Sequence, residues 1–204
     1  LAHPRIYSGR ARWKWNRFRA AFRSTWLEAP PWVKACNRRK EILDYGPPHI
    51  YLETASGCNL RCPMCPTGAG RVTRRHGLMR VELAEKLARE LRHRPVQIGL
   101  WLGGEPLLHP RLEEFVRVLA AQNLPVGLHT NATLLTEARA QALIEAGLTY
   151  ISFSFDGAAK EAYEAMRAGA CFEETVANIR AFLRVKQEIG RSAPFVDIQT
   201  IQKY

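Results

Sequence analysis

Apolar positions in this chain follow two periods that take turns. From Arg10 to Leu27 the aromatics Trp15, Phe18, Phe22 and Trp26 recur at helical spacing while Arg12, Arg17, Arg19 and Arg23 lie off the stripe. That spacing predicts a basic amphipathic helix, closed by Pro30-Pro31. Past Pro47-Pro48, the run His49-Ile50-Tyr51-Leu52-Glu53-Thr54 has strand composition. Val81, Leu83, Leu87 and Leu91 predict a helix over 79–93, and Gln97-Ile98-Gly99-Leu100-Trp101-Leu102 a second strand. Leu112, Phe115, Val116 and Leu119 mark the next helix, followed by a short strand at 126–129. Thr136 as N-cap and Gly147 as stop frame another helix. Tyr150-Ile151-Ser152-Phe153-Ser154-Phe155 is a fourth strand, a helix broken near Gly169 resumes through Val176, Ile179 and Leu183, and residues 195–201 form a fifth strand.

Strands alternating with helix-length spacers predict a parallel sheet with crossover helices, an α/β fold. Each strand run ends in a polar or glycine cluster, and ligands of parallel α/β folds bind at that carboxyl edge. The loop Gly57-Cys58-Asn59-Leu60-Arg61-Cys62-Pro63-Met64-Cys65-Pro66, the turn Gly103-Gly104-Glu105, Thr130-Asn131-Ala132 and Ser154-Phe155-Asp156-Gly157 are therefore expected to share one mouth.

Composition changes this picture in three places. With 204 residues, 47% apolar and 24% charged, the chain suits one sizeable globular domain and not a disordered segment. No apolar run is long enough to span a membrane and no signal peptide opens the chain, so a cytoplasmic location is expected. The net charge of +11 is local: residues 1–40 hold eleven of the 30 Lys and Arg and one acid, Glu28, leaving +10 there and +1 elsewhere. Residues 1–47 accordingly read as a basic helical extension and 48–204 as the α/β core. The extension either packs on the domain or a neighbouring subunit, or docks on an anionic membrane surface or an acidic partner. Because the chain starts at Leu1 and stops at Tyr204 in an apolar-alternating run, a longer natural protein is expected.

Five cysteines, Cys36, Cys58, Cys62, Cys65 and Cys171, with three crowded together, fit a metal site in a reducing compartment better than a disulfide framework. Cys58, Cys62 and Cys65 stand at C-x3-C-x2-C, a soft-metal ligand set with one coordination position left over. Two readings compete. In one the thiols hold an iron–sulfur cluster. In the other they hold structural zinc with Cys36 or His76 as fourth ligand, in a non-catalytic protein whose basic helix docks nucleic acid or membrane. Zinc sites usually add a second cysteine pair, which this chain lacks, and the zinc reading leaves Gly103-Gly104-Glu105 without a task. His109 and His129 lie near the mouth and are assigned structural roles, as Cys36 and Cys171 are assigned none.

Cys58-Asn59-Leu60-Arg61-Cys62-Pro63-Met64-Cys65 followed by Gly103-Gly104-Glu105-Pro106 resembles the radical S-adenosylmethionine (SAM) enzymes over residues 48–204. The resemblance implies a partial TIM-like barrel of six β/α units, here truncated after the fifth strand. The phrase Cys58-Asn59-Leu60-Arg61-Cys62-Pro63-Met64-Cys65-Pro66, the opening Gly77-Leu78-Met79 and Thr130-Asn131-Ala132-Thr133-Leu134-Leu135 are most similar to the subgroup that carries a cysteine-rich SPASM domain, several of whose members modify peptides or proteins. It implies that Cys58, Cys62 and Cys65 ligate a 4Fe-4S cluster and that SAM occupies the fourth iron. Reductive cleavage of SAM would then yield a 5'-deoxyadenosyl radical for hydrogen abstraction from a peptide, protein or small molecule, with a flavodoxin or ferredoxin as electron donor. By the same resemblance Gly103, Gly104 and Glu105 meet the methionyl amino group and Met64 lies on the adenine. Ser154 contacts SAM, Arg167 stands near its carboxylate, and Thr130 and Asn131 line the mouth. Ala132 departs from the pattern, standing where glycine is usual, and is given no ligand role.

Overall fold

The two alternating periods fold into a five-stranded sheet, β1 (His49–Tyr51), β2 (Gln97–Gly99), β3 (Val126–Thr130), β4 (Tyr150–Ser154) and β5 (Phe195–Gln199). Every neighbouring pair is parallel and the spatial order is the chain order, β1-β2-β3-β4-β5. The computed structural model describes residues 46–94 and 96–201. The helix expected at 10–27, Cys36 and nearly all of the 1–47 extension lie outside the described residues.

Five helices cross between the strands: α1 (Val81–Leu91), α2 (Leu112–Ala120), α3 (Glu137–Glu145), α4 (Lys160–Met166) and α5 (Phe172–Ile189). Thr136 caps α3, its hydroxyl accepting from the Arg139 N–H at 3.3 Å, and Gly147 follows that helix at φ 102°. The expected break at Gly169 separates α4 from α5, with Gly169 at φ 97°. Strands β1 and β2 end sooner than their composition suggests. Leu52 and Leu100 each add one more ladder bond of 2.8 Å, and the backbone then turns into the loops of the carboxyl edge.

Alternation along the strands decides which face is covered. Ile98, Leu100, Val126, Leu128, Ile151 and Phe153 are fully buried against Phe115, Leu119, Leu143 and Phe182 of the helices. At roughly 1.5–3 kcal/mol for each large side chain removed from water, this layer is the main force holding helices to sheet. Among the described residues the other face carries no such layer. It presents His49, Tyr51, Trp101, His129, Tyr150 and Asp197, all half-buried or exposed, and leads up to the mouth of the carboxyl edge.

Candidate active site

The thiol loop is pinned from three directions. The Glu105 N–H donates to the Gly57 carbonyl at 2.7 Å, the Arg61 N–H to the Ala168 carbonyl at 2.8 Å, and the Ser56 N–H to the Gly77 carbonyl at 3.0 Å. Cys62 is buried and Cys58 and Cys65 are half-buried. The Leu60 N–H points at the Cys58 sulfur at 3.4 Å, and the Asn131 amide nitrogen lies 3.8 Å from the same atom. Burial pushes the Cys58 thiol up, against the Leu60 N–H. Burial also raises Cys62, against the charge and hydrogen bond of the Arg167 guanidinium.

The spread of the sulfurs bears on what they can hold. Among the described residues the trio of His, Cys, Asp or Glu ligand atoms lying mutually within 4.8 Å is Glu164, Cys171 and Glu173, and the sulfurs of Cys58, Cys62 and Cys65 do not all come that close. A tetrahedral zinc with bonds of about 2.3 Å would draw its sulfurs to roughly 3.8 Å from one another. His76 Nδ1 stands 3.2 Å from the Ser56 carbonyl oxygen. The donor set suits a larger centre bridging three separated thiolates. The Glu164–Cys171–Glu173 trio is a surface feature, with the Lys160 ammonium 3.0 and 3.1 Å from the Glu173 carboxylate.

Gly103 and Gly104 bring the second strand's end under this loop. The Gly103 N–H donates to Glu53 Oε1 at 2.9 Å, and Glu53 also pairs with Arg74. A Cβ on Gly104 would stand 1.9 Å from the Ala55 carbonyl oxygen and 2.7 Å from that of Gly57, so no other residue fits. Among the described residues neither the Gly103 nor the Gly104 carbonyl accepts a hydrogen bond.

Glu105 corrects an expectation. Its carboxylate does not face the mouth; it is 3% exposed and turned into the protein. Oε1 accepts from the Leu107 N–H at 3.0 Å and the Thr130 hydroxyl at 2.7 Å, and Oε2 from the Asn131 N–H at 2.9 Å. Burial pushes its pKa up, against those three donors. Thr130 is corrected with it: the hydroxyl expected to line the mouth is spent on Glu105 and the residue is 2% exposed. The two residues tie the β2 and β3 loops together because a buried carboxylate is tolerated only where donors converge on it.

Asn131 is buried beside the thiol loop. Its amide donates to Asn59 Oδ1 at 3.0 Å and its Oδ1 accepts from the Thr133 N–H at 3.0 Å and hydroxyl at 2.7 Å. Ser154 and Met64 are half-buried, Ser154 at the end of β4 and Met64 within the thiol loop. Arg167 pairs with Asp156 at 2.6 Å, its charge reaches Cys62, and its Nε is buried without a partner. Asp156 in turn accepts from the Ile201 N–H at 2.6 Å. His109 is structural, with Nε2 2.9 Å from the Met79 carbonyl oxygen and Nδ1 accepting from the Arg111 N–H at 3.0 Å.

Ala132 keeps the backbone conformation of a glycine. It sits at φ 60° and is fully buried, in a region that costs a non-glycine residue roughly 1–2 kcal/mol. In Ala132→Gly, release of that strain offsets the lost methyl and the added chain entropy, so stability stays within about 1 kcal/mol of the parent. Ala140→Gly, equally buried but inside α3, loses about 2 kcal/mol from methyl and helix propensity together. Urea unfolding of the two variants separates them, and equal losses would remove the strain.

Sequence reasoning missed Asn59 and the Glu53–Arg74 pair. Glu53 carried a signal, being a charge on a strand end two residues past Tyr51, whereas Asn59 became meaningful only once Asn131 and Thr133 stood beside it.

A parallel α/β sheet bearing three thiols at its carboxyl edge defines a protein built to hold a soft-metal centre where such folds bind ligands. The family model of the Radical SAM superfamily matches residues 52–195, and the chain belongs to that superfamily. It is 29% identical over 161 residues to the tungsten-containing aldehyde ferredoxin oxidoreductase cofactor-modifying protein of Pyrococcus furiosus, covering 75% of this chain and 43% of that protein. It is 35% identical over 131 residues to the AdoMet-dependent heme synthase of Methanosarcina barkeri, covering 64% of this chain and 37% of the other. The chain thus spans about two fifths of the length of these curated relatives. Among solved structures, SuiB of Streptococcus suis bound to S-adenosylmethionine superposes with a TM-score of 0.63 at 16% identity, over 80% of this chain and 36% of that one. Native anSMEcpe with bound AdoMet gives 0.58 at 24% identity, over 74% and 42%. These structures establish the fold, the five parallel strands being those of a TIM-like partial barrel, and superfamily membership implies SAM-dependent radical chemistry. Among the described residues no helix is long and apolar enough to cross a membrane.

Proposed function

We propose that Cys58, Cys62 and Cys65 hold three irons of a 4Fe-4S cluster, that SAM binds beside it at the mouth, and that the protein is an enzyme abstracting hydrogen from a substrate. The observation that carries this reading is the joining of the thiol loop to Gly103-Gly104-Glu105 through the Glu105 N–H and Gly57 carbonyl. It places two unpaired backbone carbonyls next to three separated thiols.

Held by Cys58, Cys62 and Cys65, a cluster would supply one-electron reduction for the cleavage of SAM bound beside it. The chain's own residues bind and orient. The Gly103 and Gly104 carbonyls accept from the methionyl ammonium, and the absence of side chains lets the ligand approach. Glu105 acts by holding the β2 and β3 loops in register. Asn131 and Arg167 direct N–H groups at the Cys58 and Cys62 sulfurs, an arrangement that stabilises anionic sulfur and so influences the potential of a bound cluster. Met64 and Ser154 border the adenosyl end. A low-potential protein such as a flavodoxin or ferredoxin supplies the electron.

SuiB has been solved with its precursor peptide SuiA. That complex, together with the SPASM-like loop sequence, favours a peptide or protein substrate. The basic extension 1–47 is assigned to docking of that partner.

Anaerobic reconstitution with iron and sulfide tests the reading. Visible absorbance and an EPR signal of a reduced 4Fe-4S cluster that changes on adding SAM support it. Tight zinc uptake with no cluster would sink it in favour of a metal-stabilised binding protein.

A further inference from the structure

The sheet face that no helix of α1–α5 covers carries polar groups unused by the chemistry above. Cross-strand register sets Tyr51, Gly99, Gly127 and Tyr150 in one row. His129, Ser152 and Asp197 form the next. Trp101 folds back over the glycines: a Cβ on Gly99 would meet its ring at 2.8 Å and one on Gly127 at 3.1 Å. The indole then stacks on His129 with centroids 4.1 Å apart and meets Tyr51 edge-on at 5.2 Å. The two bare backbones thus make room for an aromatic wall.

On this face three buried polar atoms lack partners, His49 Nε2, Ser152 Oγ and Asp197 Oδ1, and the last two lie on adjacent strands. Tyr150 donates its hydroxyl to Asp197 Oδ2 at 2.8 Å, yet Asp197 Oδ1 is buried and accepts nothing. Ser152, 1% exposed, sits one strand away, and its hydroxyl lies beside Tyr150 without reaching hydrogen-bond geometry. Neighbouring strands stand about 4.8 Å apart, so one small group can reach both atoms. Among the described residues no Lys or Arg pairs with Asp197. Burial pushes the His129 imidazole pKa down, against the charge of nearby Asp197 and a hydrogen bond with Gln199. A buried carboxylate oxygen without a donor or counter-charge is costly, and the aromatic surroundings that exclude water raise the cost.

The position is also right for a substrate. Ser154 is two residues beyond Ser152 on the same face, and at about 3.3 Å per residue the Ser152–Asp197 level lies roughly 7 Å below the mouth. A group anchored there would extend its carbon chain up to the proposed cofactors.

We infer that Asp197, with Ser152 and the wall of Trp101, His129 and Tyr150, binds an amine-bearing portion of the substrate. This deepens the proposed function and rests on it for the word substrate, while the amine site itself needs only the folded chain. The ammonium N–H groups would satisfy Asp197 Oδ1 and the Ser152 hydroxyl together, and the charge would balance the carboxylate.

Titration of the full chain with pentylammonium and, separately, with 1-pentanol tests this, read by the indole N–H resonance of Trp101 in 1H–15N spectra and assigned with Trp101→Phe. Saturable shifts are expected with the ammonium, at least roughly tenfold weaker with the alcohol. Asp197→Asn is expected to cost roughly tenfold in ammonium affinity and Ser152→Ala a smaller factor, with the cluster's visible spectrum after reconstitution unaltered in both. Equal affinity for alcohol and ammonium, unchanged ammonium affinity in Asp197→Asn and Ser152→Ala, or no saturable shift in the parent would each overturn the amine assignment. Failure of cluster uptake in the parent would instead strike the proposed function and leave this titration standing.

Discussion

Single replacement of Cys58, Cys62 or Cys65 by alanine abolishes cluster uptake and SAM cleavage, while Cys171→Ala and Cys36→Ala retain both. Each of the three thiols supplies one iron ligand, and among the described residues the remaining cysteine, Cys171, stands in the separate trio with Glu164 and Glu173. The loss should not come from unfolding. Trading a cysteine for alanine removes one sulfur, and the loop keeps its backbone anchors to Glu105, Ala168 and Gly77, so a cost on the order of 1 kcal/mol is expected. Iron and sulfide analysis, the visible spectrum and 5'-deoxyadenosine formation would be measured beside a circular dichroism melt. Deoxyadenosine production surviving in Cys62→Ala would defeat the ligand assignment, since Cys62 is the most buried of the three.

Glu105→Ala strongly lowers the stability of the folded chain even without any cofactor. The Thr130 hydroxyl and the Leu107 and Asn131 N–H groups all lose their acceptor in a site 3% exposed. At about 1–3 kcal/mol for each stranded donor the loss exceeds roughly 3 kcal/mol, a major share of a typical domain stability of about 5–15 kcal/mol. Glu105→Gln keeps the shape but turns an NH2 toward one of the donors, for an expected loss of about 2 kcal/mol. A residue that served only to meet the ligand would leave apo stability unchanged in urea titrations and lower SAM affinity alone, and that outcome would refute the structural role.

The sign of the pH dependence follows from the same burial. The folded chain holds the Glu105 proton more tightly than the unfolded chain does, because desolvation raises its pKa. Between the ordinary carboxyl range and that raised value the folded state binds more protons. The stability this group contributes is thus fully present below the unfolded pKa and is lost as pH rises through the folded one. In Glu105→Gln that slope disappears.

Much of the architecture was legible along the chain because its causes are local. Strand alternation, Thr136 as a cap and the stops at Gly147 and Gly169 depend on neighbouring residues, and all stand where the periodicity put them. The ligand set was legible for the same reason, since three thiols within one ten-residue loop need no distant partner to be grouped. Strand ends were less legible, because β1 and β2 stop where their backbones leave the ladder to carry the loops, and that depends on the neighbouring strand.

Side-chain direction separated the two levels most clearly. That Gly103-Gly104-Glu105 belongs at the mouth is written in its place after a strand, yet the carboxylate points inward because donors 2, 25 and 26 residues away converge on it. The resemblance puts Arg167 near the SAM carboxylate; folding also pairs it with Asp156, 11 residues away in the chain. The unpartnered Asp197 oxygen has no signature in sequence at all, since only cross-strand register sets it beside Ser152 and Tyr150. Spacing and periodicity specify which residues can meet, because covalent geometry and alternation act over a few residues. Which of them become free to bind is set by long-range competition for hydrogen-bond partners, and only packing resolves that competition.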